Sequence, residues 1–464
     1  MESRVIRFFA EASGGELVAG SPDLVISRVC TDSRKVQPGD LFLALPGDKY
    51  DGHNFVSEAV ASGASAVLVC RSRLRQLPQN CAMVVVDDTR AALGRMASAY
   101  RRDFDLPVVA VCGSNGKTTT KTLIASVLGR KLATLSSEAS FNNDVGVPVT
   151  LLRLDRSQRA AVLEAGTNHP GELRPLLNMI APNYGVLTNI GREHLEFFGD
   201  LAGVAREEGT LAEVLPASGK LFLNADDEWT DRIASRAQAR VVRVGQSAAA
   251  EWRAVNVRMD SEGVSFRVEA APAAYAGEYR LNLLGRHQVT NALFAIAVGS
   301  EFGVPPAEVQ AGLAGCRPAN MRMQSGENRG VRILNDAYNA NADSMSAALQ
   351  TLAELPCKGR RVAVLGDMAE LGSFAQEAHE EVGRLAATLG VGQLFAVGKM
   401  ASVIGRSARQ AGLNRVLEFA DVESAALALR NFVRPGDVVL VKASRSTRLE
   451  RVAEMLRASE CSTT

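Results

Sequence analysis

At 464 residues, with 47% hydrophobic and 22% charged side chains, the chain is too long for one compact core and too apolar for disorder, so about three globular units are expected. Its 52 basic and 51 acidic residues leave a net charge of +1, which supplies no field to draw nucleic acid or an anionic membrane, and any anion must be recognised locally. The start, MESRVIRFFAEASGGEL, lacks the apolar stretch of a signal peptide, no run of about 18 apolar residues occurs, and seven scattered cysteines form no C-x-x-C pair; these features point to a cytosolic protein with reduced, mostly buried thiols and no zinc site.

In chain order, LFLAL, SAVLVC and AMVVVDD alternate with helical stretches such as NFVSEAVASGA, which predicts a small mixed α/β domain over residues 1–106, ending at a linker around Pro107. From there VVAVCG, AAVLEAG, YGVLTNIG and KLFLNADD are short apolar runs closed by turn chemistry and separated by helices. They predict a central domain over 107–316 with a buried parallel sheet like that of P-loop ATPases, extended by a strand-rich patch (EWRAVNVRMD, GVSFRVEA, YRLNLL) and closed by a helix from about Val289. VRILND, RVAVLGD, QLFAVG and DVVLVKASR then predict a smaller, Rossmann-like α/β domain over 317–464, with the tail SECSTT frayed.

The most informative stretch is AVCGSNGKTTTKTL, residues 110–123. A strict P-loop would need glycine at 111, where the chain has Val111. Gly113, Ser114, Asn115 and Gly116 can still turn tightly and aim backbone N–H groups at a phosphate at a helix start, with Lys117 reaching its terminal groups and the Thr118 hydroxyl joining a magnesium shell. The plainer alternative is a glycine turn capping an ordinary helix, and Cys112 within it reads as a packing residue rather than a nucleophile. Glu164 and His194 follow the next two apolar runs. In a parallel sheet, ligands gather beyond the carboxyl ends of the strands, so a loop lysine, a threonine hydroxyl, a carboxylate and an imidazole on neighbouring tips are what an ATP–magnesium site requires. Taken singly, Glu164 also reads as a solvated loop acid and His194 as a polar helix start. Asn224, Asp226 and Asp227 of LNADDEW read as turn and cap residues and are left out of the site.

TDSRKVQPGDLFLALPGDKYDGHNF, GSNGKTTTK, FNNDVGVP, EAGTNHPGE, TNIGREHLEFFG, GRHQVTNA, NDAYNANADSM, LGDMAELG and VKASR together resemble the Mur ligase family over nearly the whole chain. YNAN (residues 338–341) and LGDMAELG resemble the branch that adds D-alanyl-D-alanine to UDP-N-acetylmuramoyl-tripeptide, and the D-N-P-R of the branch adding a diamino acid is absent. The resemblance implies ATP and Mg2+ as cofactors, an acyl phosphate route, those two small molecules as partners and, by default, a monomer. It implies that Gly113 to Thr119 bind the phosphates, with catalytic Lys117 on the terminal groups, that Thr118 and Glu164 hold one magnesium and that His194 holds a second. It further implies that His287 and Asn291 lie near the adenine, Arg322 near the γ-phosphate and Asp336 near the ribose. Ser33 and Arg34 would receive the uridine diphosphate end, and Asn142, Asn143, Tyr338 and Asn339 would meet the substrate. Lys442 and Arg445 would take the dipeptide carboxylate, a solvated helix start being the other reading of that pair.

One departure bears on the chemistry. Where the family usually reads A-K-A-K-G-E, with its second lysine carried as a carbamate on the second magnesium, this chain reads VAREEGTL, with Glu208 at that position and Thr210 in place of an acid. The negative charge survives on a stem shorter by about three bonds. Glu208 is therefore expected to replace the carbamate as a catalytic metal ligand, through a water or a shifted helix. Gln288, Ala342 and Ala443 are smaller departures, touching adenine and loop geometry. Folate polyglutamate synthesis shares the acyl phosphate logic but has no use for the TDSR and DGHNF segments; a nucleotide-dependent regulator without ligase activity is favoured by Glu208 alone.

Overall fold

The computed structural model describes residues 1–47, 49–76, 81–270 and 272–457, so the tail SECSTT lies outside the described residues. Among the described residues three large sheets follow one another along the chain, beside a two-stranded antiparallel pair, Arg4–Val5 with Val25–Ile26. The first has five strands in the order Glu16–Ala19, Ala82–Val86, Ala66–Cys70, Asp40–Leu43 and Arg28–Cys30, parallel apart from the Glu16–Ala19 edge. The DGHNF segment closes one end of this sheet. Asp51 accepts from the His53 backbone N–H at 3.0 Å and from its ring Nδ1 at 2.7 Å, which leaves Nε2 to accept the Cys70 N–H at 2.9 Å. His53 is thereby a structural histidine, spent on a backbone donor that would otherwise be buried unpaired.

The central sheet has nine strands, ordered Gly277–Leu281, Val264–Ala270, Trp252–Met259, Arg240–Gly245, Lys220–Asn224, Tyr184–Leu187, Val108–Cys112, Ala160–Glu164 and Thr134–Ser136. The run from Trp252–Met259 to Thr134–Ser136 is parallel, and the strand-rich patch continues the same sheet as an antiparallel extension. Its middle strands are buried on both faces, as their unbroken apolar sequences require. The tips of Val108–Cys112, Ala160–Glu164 and Tyr184–Leu187 therefore lie side by side, with the first strand between the other two. The third sheet, Gln324–Asn328, Val331–Asn335, Val438–Lys442, Arg361–Gly366, Gln393–Val397 and Val416–Phe419, is parallel apart from its first strand.

The two domain boundaries differ in kind. The helix Thr89–Arg101, capped by Asp88 on the Arg90 and Ala91 N–H groups, sends Leu93, Met96, Ala97 and Tyr100 into an apolar cluster that also contains Leu173, Leu176, Leu177 and Ile180 of the central domain. Buried Arg101 completes that joint, donating to the carbonyls of Ile180 at 3.1 Å and Phe104 at 2.7 Å. The C-terminal domain has separate apolar clusters, joined from the central domain by Leu284 and, at the margin, Met259. Its seam is mostly polar, for example Arg286 on Glu354 at 2.7 Å. Half-exposed ion pairs contribute at most about 1 kcal/mol each, whereas apolar burial contributes about 25 cal/mol per Å², so the first boundary is rigid and the second is the weaker joint. Among the described residues no helix is long and apolar enough to cross a membrane. Of the six described cysteines, all free, three are buried (Cys30, Cys112, Cys316) and three half-buried, fewer buried than expected.

Candidate functional site

The strand Val108–Cys112 runs straight into the glycine turn, and Val111 is a buried strand residue; the turn begins two residues later than in a strict P-loop. Gly113 (φ 111°) and Gly116 (φ 81°) occupy the left-handed region that side chains avoid. A Cβ at Gly113 would lie 2.4 Å from the Thr188 hydroxyl and one at Gly116 would lie 2.7 Å from Asn291 Oδ1, so both sites exclude larger residues by space as well as by torsion. The neighbouring strand's exit loop fixes the turn. Ser114 N–H donates to the Asn189 carbonyl at 2.9 Å, Asn115 N–H to Asn189 Oδ1 at 3.1 Å, and Gly191 N–H to Ser114 Oγ at 2.8 Å. Helix Lys117–Leu128 then starts from Gly116. Cys112 is fully buried and burial pushes its thiol well up, in keeping with a packing role.

Lys117 Nζ donates to the Gly113 carbonyl and to Glu193 Oε2, the latter at 3.3 Å. Burial works against its charge, but Glu193, Glu208 and Glu164 together outweigh burial and raise its proton affinity, so it stays an ammonium. Glu193 is a member of this site that sequence reasoning missed; an acid directly before His194 was the available signal. The two acids of VAREEG point in opposite directions. Glu207 accepts the Gly171 and Leu173 N–H groups, each at 2.8 Å, and so caps the helix Leu173–Ile180, while Glu208 accepts the Gly113 N–H at 2.7 Å from behind the loop. Glu208 is completely buried and does not line the cleft, so as a direct metal ligand it is not where the sequence placed it: its shorter stem ends at the loop's own backbone. Oε1 of Glu208 and Oε1 of Glu193 are both buried with no donor facing them. A proton kept on Glu208 supplies a donor there; burial, with Glu193 adding to it and Lys117 opposing, pushes the Glu208 carboxyl up to about 8.

At the next tip, Glu164 accepts from the Thr118 hydroxyl at 2.7 Å and from Asn142 Nδ2 at 2.9 Å. Gly166 is small because Asn142 passes there, 2.6 Å from where a Cβ would sit. Asn143 caps the backbone N–H of Gly146 at 2.8 Å. Buried Lys121 donates to the carbonyls of Ser137 and Ala139, each at 2.7 Å, and so sets the loop carrying Ser140, whose hydroxyl lies 3.2 Å from Thr118. A buried carboxylate paired with a hydroxyl beside a phosphate loop is the hard oxygen donor set magnesium takes while keeping most of its waters, so Thr118 and Glu164 fit that ion.

These groups open onto a cleft of about 670 Å³ between the central and C-terminal domains. Lys117, Thr119, Asn142, Asn143, Glu164 and His194 line one side; Arg322, Asp336, Tyr338 and Asn339 line the other. His194, itself at positive φ, meets Glu370 across the seam with Nδ1 2.5 Å from Oε2. Arg322 stacks on Tyr338, 4.2 Å from the ring centre, and donates to Ser140 at 3.3 Å. His287 is solvent-accessible at the cleft, and Asn291 beneath it accepts from Thr120 at 3.0 Å and donates to Gln288 at 2.9 Å.

The structure redraws three other expectations. Lys442 edges the cleft but is 3% exposed and spent on Asp336 Oδ2 at 2.6 Å and the Asn339 carbonyl at 3.0 Å, so it braces the wall instead of offering a free cation. Asp336 is also tied to the Met323 N–H at 2.8 Å. Arg445 lies outside the cleft because the turn Arg445–Thr447 directs its guanidinium to Glu450 at 2.7 Å. Asn224, Asp226 and Asp227, set aside as turn residues, do line the cleft; Asp227 nevertheless accepts the Ile190 N–H at 2.6 Å, so its chemistry there is partly structural. Ser33 and Arg34 sit on a turn of the N-terminal domain away from this cleft, with Arg34 forked onto Asp32 at 2.8 and 2.9 Å.

Comparison with known proteins agrees with this geometry. The Mur ligase family catalytic domain matches residues 25–101, the Mur ligase middle domain residues 111–299, and the Mur ligase glutamate ligase domain residues 321–445. The chain is 38% identical over 445 residues to the UDP-N-acetylmuramoyl-tripeptide--D-alanyl-D-alanine ligase of Escherichia coli, covering 94% of each. It superposes on a crystal structure of MurF from Acinetobacter baumannii with a TM-score of 0.89 at 31% identity, covering 98% of this chain and 99% of that one. A MurF ligase from Thermotoga maritima in complex with ADP gives 0.80 at 26% identity, covering 92% and 96%. With all three domains matched and the phosphate loop, strand-tip carboxylate and histidine gathered on one cleft, the chain belongs to the Mur ligase family.

Proposed function

We propose that the protein joins D-alanyl-D-alanine to UDP-N-acetylmuramoyl-tripeptide at the expense of ATP, in the cytoplasmic synthesis of peptidoglycan precursors. The observation that carries this is the convergence of Lys117, the Thr118–Glu164 pair and His194 on one cleft whose far wall belongs to a separate domain. A carboxylate is a poor electrophile. One of its oxygens attacks the γ-phosphorus, ADP departs, and the acyl phosphate is then attacked at carbon by the dipeptide amine, which releases phosphate and a proton and leaves the amide. The loop N–H groups and Lys117 hold the phosphates and offset the charge on the transferred oxygens. Magnesium, when bound, neutralises charge on the phosphate oxygens. Thr118 and Glu164 would hold one ion and His194 a second, while Glu208, at the family's carbamate position, would brace the phosphate loop from beneath through the Gly113 N–H. Arg322, free of any carboxylate partner among the described residues, is placed for the γ-phosphate, while Asp336, His287 and Asn291 border the space for the nucleoside. Ser33 and Arg34 take the uridine diphosphate end of the acceptor, and Asn142, Asn143, Tyr338 and Asn339 its peptide end.

Phosphate release from ATP that requires both the acceptor and D-alanyl-D-alanine is the expected result; release driven by a folate and glutamate, or nucleotide binding without release, would replace this reading with one of the alternatives. The Glu208 assignment has its own test. With no lysine to carbamylate, added bicarbonate should leave the rate unchanged, and Glu208→Ala should lower it by at least about tenfold. A readout apart from activity is pH. Unfolded, this carboxyl ionises near its ordinary value of about 4.3, whereas in the fold it keeps its proton up to about 8. Between those values the folded state binds more protons, so stability falls as pH rises. Glu208→Gln should flatten that decline in chemical denaturation measured across the window, and an unchanged slope would show that Glu208 does not hold a proton in the fold.

A further inference from the structure

The seam between the central and C-terminal domains has little shared apolar core, yet one residue concentrates four hydrogen bonds on it. Arg192 donates its backbone N–H to Asp343 Oδ2 at 2.7 Å and its Nε to Asp343 Oδ1 at 2.8 Å, and its two terminal nitrogens reach Glu381 at 2.6 and 3.1 Å. Asp343 sits in the first turn of helix Ala342–Glu354 and Glu381 within helix Ala375–Thr388, so one guanidinium fixes two helices of the C-terminal domain. The residues on either side of Arg192 belong to the phosphate loop's surroundings. Gly191 is bonded to Ser114 at 2.8 Å, and Glu193 to Lys117 at 3.3 Å. Three consecutive residues span at most about 10 Å, which leaves no slack between the two sets of contacts.

We propose that Arg192 is a positioning residue that couples occupancy of the phosphate loop to the seating of the C-terminal domain over the cleft. A ligand on Lys117 competes with Glu193 for the ammonium, and any adjustment of Glu193 is transmitted through the adjacent peptide to the Arg192 contacts. A planar fork suits this task, because it meets both carboxylates in fixed geometry where lysine offers a point charge. The pairs are accessible enough to break and re-form: side-chain exposure is 30% for Arg192, 36% for Asp343 and 38% for Glu381. The sequence gives no sign of this role, since Arg192 reads as one more charge in GREH.

The inference rests on the phosphate reading of the loop, so nucleotide binding and closure are measured separately, on the full chain, with a non-hydrolysable ATP analogue and magnesium. By calorimetry, Arg192→Ala should bind the analogue within about threefold of wild type, because its guanidinium, though at the cleft's edge, is spent on Asp343 and Glu381. By small-angle scattering the wild type should show an analogue-induced fall in radius of gyration, and Arg192→Ala should lose it. Its kcat should drop by about 10- to 100-fold with KM for ATP little changed, as expected when a domain closure is impaired. Arg192→Lys should not restore it, and the double exchange Arg192→Glu with Glu381→Arg should recover at least about tenfold over Arg192→Glu alone. If Arg192→Ala proves unfolded, Glu381→Ala approaches the same contact from the other domain and should show the same loss of compaction at full nucleotide affinity. Wild-type scattering that ignores the analogue, a variant that compacts normally, or a loss of rate matched by an equal loss of nucleotide affinity would each overturn the proposal.

Discussion

Replacing Lys117 with methionine is expected to lower kcat by at least about 10³-fold while the protein stays folded. The side chain is held in place by the Gly113 carbonyl and by Glu193, on the first turn of a helix whose register is set by two glycines that no other residue can replace. Three buried carboxyls keep it charged in a region where an ammonium would otherwise tend to lose its proton. That is preorganisation: the cation is already aimed and desolvated before the transferred oxygens gain charge, so its removal costs transition-state stabilisation more than ground-state binding. Methionine keeps the apolar stem. The Glu208 carboxyl left behind is already held neutral up to about 8, which limits the uncompensated charge, and the loss of stability should therefore be small beside the loss of rate. Arginine should not restore activity, because its planar head does not fit between Gly113 and Glu193 as a point charge does. Steady-state rates with a thermal melt on the same samples check this; a Lys117→Met protein retaining a tenth of the wild-type rate would remove the loop from phosphoryl transfer.

Much of this site was legible because its parts are local and end on the same edge of a sheet. GSNGKT declares a turn and a helix start within six residues, and Glu164 and His194 follow apolar runs that pair with the strand beside that turn, so chain order alone brings them together. What could not be read is whatever depends on partners far along the chain. Glu193 faces Lys117 across 76 residues, Lys442 is spent on Asp336 across 106, and Arg192 meets Glu381 across 189. Nothing in VKASR distinguishes a free lysine from one satisfied by an aspartate of the neighbouring strand. The same holds for the short strands Thr134–Ser136 and Arg240–Gly245, which are too brief to show periodicity but complete the sheet through their neighbours. Glu208 is the mixed case: the sequence flagged it by charge and position, and only packing showed that its carboxyl ends on the Gly113 N–H.

Replacing Glu164 with glutamine should lower kcat by at least about 10²-fold and raise the magnesium concentration needed for half-maximal rate by at least about tenfold. The argument turns on how little else the substitution disturbs. Glu164 is 1% exposed at the end of a strand buried on both faces, and its oxygens are occupied by the Thr118 hydroxyl and Asn142 Nδ2. Glutamine has the same shape and can still accept from one of these partners through its carbonyl, so the Thr118 end of the contact and the loop beyond survive. What disappears is one negative charge at the point where a hydroxyl and a carboxylate together offer a hard cation its protein ligands. Without it, binding an ion there must draw on phosphate oxygens and water alone, and affinity for magnesium falls while the phosphate loop keeps its hold on the nucleotide. The expected signature is therefore divided: nucleotide affinity measured without magnesium changes little, and the rate recovers partly as magnesium is raised. A Glu164→Gln enzyme with the wild-type magnesium dependence would show that the strand-tip carboxylate serves only to hold Thr118 and Asn142 in place.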